Sequence, residues 1–545
     1  MVRSCLAIFG ALALAVFSTR SVTAGGVTII THGFNSNVTD WIIPMAGRMG
    51  QYPGFPGTTY SCYEISITRN GSGQYMAVAT FLSGTAPLLT DSGEIVVKLD
   101  WSTLSSGGTS TTTVAQTAVN ALLATNFIPE LGGRALAESP VHLIGHSRGG
   151  SVITEMARLL GAQGVWVDEV TTLDPRPVSQ FGDASVTSWA NVLFADNVWQ
   201  TMGDGIIVPN GQSVFGAYNR KLLDLNGGYS SSHSDVHLWY HGTIDLTTPA
   251  SDTQATITAT QRNTWWTSTE MAGAAAGFLY SLIGGGDRLS YLEPAGTGNG
   301  RIRDGFNKNW ELGGGMGSNR TALPMNAGLW PNPIRFELGD STISAGEAFD
   351  TTLYYQAGAS ASGDITAEIF LDADFNPYNG NEIDVSDATP SRTGTNAVSI
   401  DTLSATVSAA AVAPGSYAVC ARLNDGARTR YLYAPQLLFV TPSLQPPSID
   451  AASLRLSGGI LRFNVYAFTG QEVTVMGSND LVNWIPLDTH TFTGTAWEFV
   501  DAYAGKFAKR FYRAVLTPSE VEAKSNVQPA EGLSAAAEIG SDWKD

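Results

Sequence analysis

Between Gly26 and about Gly286 the chain alternates two textures. Short β-branched runs, Val27-Thr28-Ile29-Ile30, Glu94 to Leu99, Val141 to Ile144 and Val167 to Leu173, are separated by longer stretches such as Val114 to Ala124 and Ser151 to Leu160. In the longer stretches apolar positions recur at helical spacing. Such alternation predicts a mostly parallel sheet with helices on both faces, whose chemistry gathers beyond the carboxyl ends of the strands. After Ile334 the texture becomes short alternating runs between Gly, Ser and Asp turns, as in Ala367-Glu368-Ile369-Phe370 and Ser416 to Cys420, which predicts an immunoglobulin-like β-sandwich. A second all-β module is expected after Pro446-Pro447, with runs at Leu461 to Ala467, Val473 to Met476 and Phe507 to Val515. The expected organisation is a leader at 1–24, a catalytic unit at 25–290, a Gly- and Asn-rich extension at 291–333, a sandwich at 334–445, a C-terminal β module at 446–517 and a disordered tail at 518–545.

Composition sharpens this outline. Met1-Val2-Arg3, the apolar run Leu6 to Phe17 and the small residues Val22-Thr23-Ala24 have the form of a secretory signal peptide cut after Ala24. The apolar run is too short to span a bilayer comfortably and Gly10 interrupts it, so the expectation is an exported protein without a transmembrane anchor. Loss of Arg3 and Arg20 with a leader that holds no Lys, Asp or Glu takes the net charge from -18 to -20. A surface this acidic repels nucleic acid. Cys5 leaves with the leader, and Cys62 and Cys420 fall in different expected units, so no internal disulfide framework is expected.

The candidate chemistry begins at Gly145-His146-Ser147-Arg148-Gly149, a G-x-S-x-G between an apolar run and a helical pattern. A nucleophile elbow needs that setting: the serine must sit on a sharp strand-to-helix turn, within reach of a base and facing backbone N–H groups. The loop Thr31-His32-Gly33-Phe34-Asn35 after the first strand fits a second source of oxyanion donors, which makes the N–H groups of Phe34 and Arg148 the candidates. Asp174, in Leu173-Asp174-Pro175, is the candidate acid; Asp196, at the end of the next strand-like run, is its rival, and Asp168 lies too early in its own run. His233, His237 and His241 recur every four residues, a spacing that raises a metal cluster, yet no cysteine accompanies them and a zinc site would leave Ser147 unexplained. His233, in a Gly- and Ser-rich loop, is the candidate base, and Ser147, Asp174, His233 then run in triad order.

These pieces together resemble the secreted lipases of the pancreatic and lipoprotein lipase type. The resemblance covers residues 26 to about 286 and rests on Thr31 to Phe34, Lys98-Leu99-Asp100-Trp101, Gly145 to Gly150, Thr172 to Pro175, and His233 followed by His237-Leu238-Trp239-Tyr240. It implies an α/β-hydrolase fold followed by two all-β sandwich-like modules, a Ser147–Asp174–His233 triad and oxyanion N–H groups from Phe34 and Arg148. It also implies an ester or lipid substrate and no required cofactor. Two departures stand out. The segment 175–232 has no cysteine to close a lid, although Phe194, Trp199, Met202, Ile206, Ile207 and Phe215 give it the bulk of either a cover or further sheet strands. Arg148 replaces the usual apolar residue after the serine, with a side chain suited to an Asp partner or an anionic substrate group.

Other readings stay open on the sequence: acyl transfer, polyester cleavage, or an adhesion protein with an inert hydrolase-like scaffold. The β modules are candidates for binding a surface or polymer. Asp372, Asp374 and Asn376 offer oxygen ligands suited to a structural calcium, but Pro377 stands where an EF-hand loop turns on glycine, and a solvated turn is preferred. Trp484 and Tyr512 are read as core in preference to a carbohydrate platform.

Overall fold

The computed structural model describes residues 26–49, 60–84, 94–205, 207–244, 252, 255–266, 320–323, 330–356, 364–373, 377, 380, 382–385, 392–393, 400–408, 412–442 and 446–517. The expected leader and tail, and most of the expected extension at 291–333, lie outside the described residues. In chain order the first unit comprises β1 (Val27–Thr31), α1 (Ile42–Met49), β2 (Ser61–Arg69), β3 (Tyr75–Gly84), β4 (Ile95–Asp100), α2 (Ser102–Ser105), α3 (Thr111–Leu123) and β5 (Val141–His146). It continues with α4 (Arg148–Ala162), β6 (Val167–Leu173), β7 (Val192–Gln200), β8 (Tyr218–Leu222), α5 (Ser232–Ile244) and α6 (Ala259–Trp265). Its eight strands form one sheet in the order β3-β2-β4-β1-β5-β6-β7-β8.

Strands covered on both faces have no solvent-facing side, so β1 reads as a continuous apolar or β-branched run, while β5 and β6 carry His142, Asp168 and Glu169 buried among their apolar residues. Successive side chains still point to opposite faces. Ile29, Val97 and Leu143 pack with Val114, Ala118, Val152 and Met156 of α3 and α4 on one face. Ile30, Val96 and Ile144 pack with Ile42, Met45, Val236 and Trp239 of α1 and α5 on the other.

The expected α/β-hydrolase class is corrected at this point. Among the described residues strands account for 41% and helices for 21%, so the described structure is β-rich, and its largest sheet is mixed. Two places break the expected alternation. β2 runs straight into antiparallel β3 through a tight turn, where Asn70 Oδ1 accepts the N–H groups of Ser72 (3.0 Å) and Gln74 (2.9 Å). β7 reaches β8 through 201–217, whose described residues form no helix. Phe194 and Trp199 of the segment expected to be either cover or strand lie in β7, with Phe194 buried; Met202, Ile207 and Phe215 are exposed on 201–217, and Ile206 lies outside the described residues.

The second unit holds β9 (Asn332–Leu338), β10 (Thr342–Ser344), β11 (Ala348–Gln356), β12 (Asp364–Asp372), β13 (Ile383–Asp384), β14 (Arg392–Thr393), β15 (Ile400–Ser408), β16 (Gly415–Asn424) and β17 (Thr429–Thr441). They make two sheets, β15-β11-β9 and β10-β17-β16-β12-β13 with β14 also paired to β12, around a core that includes Phe336, Phe349, Ile369 and Leu438. This unit is fastened to the first by buried polar groups. Arg430 of β17 donates to the Trp166 carbonyl (3.1 Å) and Asn332 Oδ1 (2.9 Å) and lies 3.4 Å from Asp168, whose carboxylate also accepts the Val141 N–H at 2.7 Å. The last unit, 448–516, is a pair of small sheets packed on Phe463, Val475, Phe499 and Tyr512. Tyr512 is a buried core residue whose hydroxyl donates to Asp501 at 2.9 Å, while Trp484 is partly exposed beneath the Arg513 guanidinium, 4.4 Å from its ring. Among the described residues, no helix is long and apolar enough to cross a membrane.

Candidate active site

The elbow forms where β5 ends and α4 begins. Ser147 occupies φ 57, ψ -122, a conformation that costs a non-glycine residue of order 1–3 kcal/mol and is found where surrounding structure enforces it. The enforcement is steric. A Cβ on Gly145 would stand 2.4 Å from the Gly149 carbonyl oxygen, and one on Gly149 would stand 2.5 Å from the His32 carbonyl oxygen. The Ser147 N–H is held by the Leu173 carbonyl at 2.9 Å, and its carbonyl accepts from Arg176 N–H at 2.9 Å, so the turn is bonded to both ends of the acid-bearing loop. Arg148 is the first residue of the helix, where N–H groups lack intrahelical acceptors and the helix dipole is positive.

The acid follows β6 directly. Asp174 is fully buried, has φ 44, and accepts His233 Nδ1–H at 2.6 Å on Oδ2. The same oxygen accepts Gln200 Nε2–H at 2.8 Å, while Oδ1 accepts the N–H groups of Gln200 at 2.8 Å and Gly211 at 3.1 Å. Four donors thus fix the carboxylate and, through it, the imidazole plane. With Nδ1 protonated toward Asp174, His233 Nε2 is left as a proton acceptor. Ser147 Oγ makes no hydrogen bond among the described residues, to His233 or any other group. Such contacts are commonly loose before substrate binds and tighten in the reacting complex.

His146 joins the elbow to the base. Its Nε2–H donates to the His233 carbonyl at 2.8 Å and its ring lies 4.5 Å from the His233 ring. Burial, then the neighbouring His233 charge, pushes His146 well below the usual imidazole range, which keeps it a neutral spacer. His237 is depressed in the same way by burial and by its histidine neighbours, and its ring stacks on Trp41 at 4.4 Å. His241 is likewise buried in α5. The three histidines therefore share a helix but not a task, and among the described residues no three His, Cys, Asp or Glu side chains converge as a metal-binding group. Of the calcium candidates, Asp372 is buried and accepts the Tyr433 hydroxyl; Asp374 and Asn376 lie outside the described residues.

The loop after β1 is anchored by its histidine. His32 is buried, stacks on Trp101 at 5.3 Å, and accepts the Trp101 N–H on Nε2 at 3.2 Å. Nδ1 therefore donates, to the Gly33 carbonyl at 3.0 Å. Trp101 in turn donates its indole N–H to Thr31 at 3.1 Å. A Cβ on Gly33 would lie 2.7 Å from Ser147 Cβ, so this loop passes directly over the nucleophile before Phe34, whose side chain is about half exposed.

Asp196, the rival acid, lies within β7, takes a hydrogen bond from Thr171, and is pushed up to about 7 by burial; His233 is not among its partners. Asp168 is engaged with Val141 and Arg430 at the far end of β6. The Arg148 side chain is wholly buried and paired with Asp183, so the substrate-anion role open to it on sequence is closed. Gln200, Gly211, His146 and Asp183 are the site residues that the sequence reading missed. Only His146, lying within the motif, carried a local signal.

No family model matches the chain and no curated protein matches it. Three solved structures show distant likeness. The tetra-tandem repeat in the extending region of a large adhesion protein matches at 10% identity over 39% of this chain and 50% of that one, with a TM-score of 0.20. Red sea bream transglutaminase matches at 11% identity over 34% and 29%, with a TM-score of 0.13. A chaperone–tip adhesin complex of CFA/I fimbriae biogenesis matches at 12% identity over 37% and 98%, with a TM-score of 0.14. At these scores no shared fold, and no function, follows.

Proposed function

We propose that the chain is an exported serine carboxylester hydrolase, a lipase or lipid esterase. The observation that carries this reading is the 2.6 Å contact of His233 with a buried, fourfold-bonded Asp174, next to a serine held at φ 57 on a helix N-terminus. Constellations of this kind recur on unrelated folds and are recognised by the geometry and roles of the site residues. Ser147 Oγ attacks the ester carbonyl carbon as its proton passes to His233 Nε2, and the oxyanion is received by the N–H groups of Phe34 and Arg148. Collapse expels the alcohol, which takes the proton from His233, and water then cleaves the acyl-enzyme by the same steps in reverse. Asp174 fixes the tautomer and stabilises the imidazolium.

The motif resemblance to secreted lipases supports an acyl ester substrate, and the net charge of -18 opposes nucleic acid as a partner. Ser147→Ala should lower ester hydrolysis by on the order of a millionfold with the fold intact. Near wild-type turnover on p-nitrophenyl esters would remove the assignment. A series of acyl chain lengths, measured below and above the solubility limit, separates the two substrate readings: a jump in rate at the interface marks a lipase, and smooth saturation on short chains marks an esterase.

A further inference from the structure

We infer that Arg148 is a positioning residue for the oxyanion hole, acting through its side chain on three loops at once; this rests on the hydrolase reading of Ser147. Its backbone N–H is one proposed oxyanion donor, and its guanidinium is spent entirely on the walls of the site. Nε and Nη2 donate to the two oxygens of Asp183, each at 2.7 Å, a bidentate pair whose members are both fully buried. The remaining donors go to main-chain carbonyls of the loop after β4: Nη1 to Ser105 at 2.8 Å and Nη2 to Thr109 at 2.6 Å.

The planar cation is also sandwiched. Its carbon lies 5.1 Å from the Trp101 ring and 4.8 Å from the Phe181 ring. Trp101 stacks on His32 at 5.3 Å, and Phe181 stacks on Phe34 at 6.0 Å. Arg148 thus reaches both sides of the Gly33-Phe34 turn that carries the second proposed donor. Asp183 extends the same hub into the acid loop by accepting the N–H of Val178 at 2.8 Å, and it accepts the Thr111 N–H at 3.2 Å at the start of α3. One side chain, adjacent in sequence to the nucleophile, therefore fixes the loop after β1, the loop after β4 and the loop after β6 relative to the elbow. A buried pair is weak evidence of stabilisation for its own sake, because desolvation offsets the attraction. Its value lies in geometry: an aliphatic residue could fill the volume but could not hold these four directed bonds.

The test uses the full-length exported chain, its wild type, Asp183→Asn and Arg148→Lys, with kcat and KM on p-nitrophenyl butyrate normalised to the fraction labelled by a fluorophosphonate at long times. Affinity for phenylboronic acid, which forms a tetrahedral adduct on the serine, and thermal unfolding are measured alongside. Asp183→Asn keeps shape and loses the charged fork, so kcat should fall by roughly 30- to 100-fold, the scale set by sub-ångström misplacement of donors, with KM within about threefold. Boronate affinity should fall by a comparable factor, and Arg148→Lys should behave alike because a point charge cannot make the fork. A lowered melting temperature with unchanged kcat per labelled molecule and unchanged boronate affinity would overturn the inference and leave the hydrolase reading standing. A folded wild type that neither hydrolyses esters nor labels would overturn both.

Discussion

Asp174 and Asp196 show how burial alone does not place a carboxylate against His233. Both are buried, but one has four hydrogen-bond donors including His233, whereas Asp196 Oδ1 has no partner and burial lifts the group to about 7. Asp174→Asn should cost about ten-thousandfold in kcat through the wrong histidine tautomer. Asp196→Asn should leave kcat nearly unchanged and act on stability instead. The folded chain holds the Asp196 proton that the unfolded chain releases near pH 4, so stability contributed while protonated is lost as pH rises from there through about 7. Urea unfolding should therefore show the Asn variant gaining on wild type at pH 8 and not at pH 4; a pH-independent difference would contradict the assignment. Gly33 gives a steric counterpart, since Gly33→Ala would drive a methyl to 2.7 Å from Ser147 Cβ. Turnover should drop by about a hundredfold, read from kcat on a soluble ester, with a well-formed fold by circular dichroism. Ser147, His233 and Asp174 were picked out in the sequence as candidates because each sits in a local motif. Gln200 and Asp183 were not: they meet the site 26 and 35 residues away in sequence, through bonds that leave no local pattern.

At the scale of elements, α5 carries the histidine spacing that invited a metal. The helix is buried on all sides, and although the His233 and His237 rings both pack against His146, their other partners differ: His233 bonds Asp174, and His237 stacks on Trp41. His237→Ala and His241→Ala should keep most of the turnover per labelled molecule and lose stability by the cavity each leaves, on the order of 1–3 kcal/mol by urea unfolding. Zinc-dependent activity lost equally in both variants would restore the metal reading. The strand runs at β1, β5 and β6 were readable from their β-branched and aliphatic residues, although His142, Asp168 and Glu169 are buried among them. The fold class was misjudged where strands follow each other without a helix. Nothing in the periodicity of Ser61–Arg69 and Tyr75–Gly84 announces an antiparallel hairpin except its Asn-Gly-Ser-Gly turn, and 201–217 has the length of a crossover without its helix.

For the molecule as a whole, the expected boundary between the first unit and the sandwich is spanned by Arg430, buried against Asp168, Asn332 and the Trp166 carbonyl. Removing one member of a buried ion pair strands the other, at a cost of about 3–5 kcal/mol. Arg430→Ala should accordingly destabilise both units in a calorimetric scan. A shift confined to one of two separate transitions would make the sandwich an independent appendage.

The central claim is that Ser147 is activated by the Asp174-supported His233. Its most direct test is the rate of fluorophosphonate labelling of the purified protein, with the adduct located by peptide mass spectrometry, in wild type, His233→Ala and Asp174→Asn. A single adduct on Ser147, formed fast in wild type and slowed by at least about a thousandfold in both variants, is the result predicted. An adduct on another residue, or labelling of Ser147 at equal rates in all three, would contradict it.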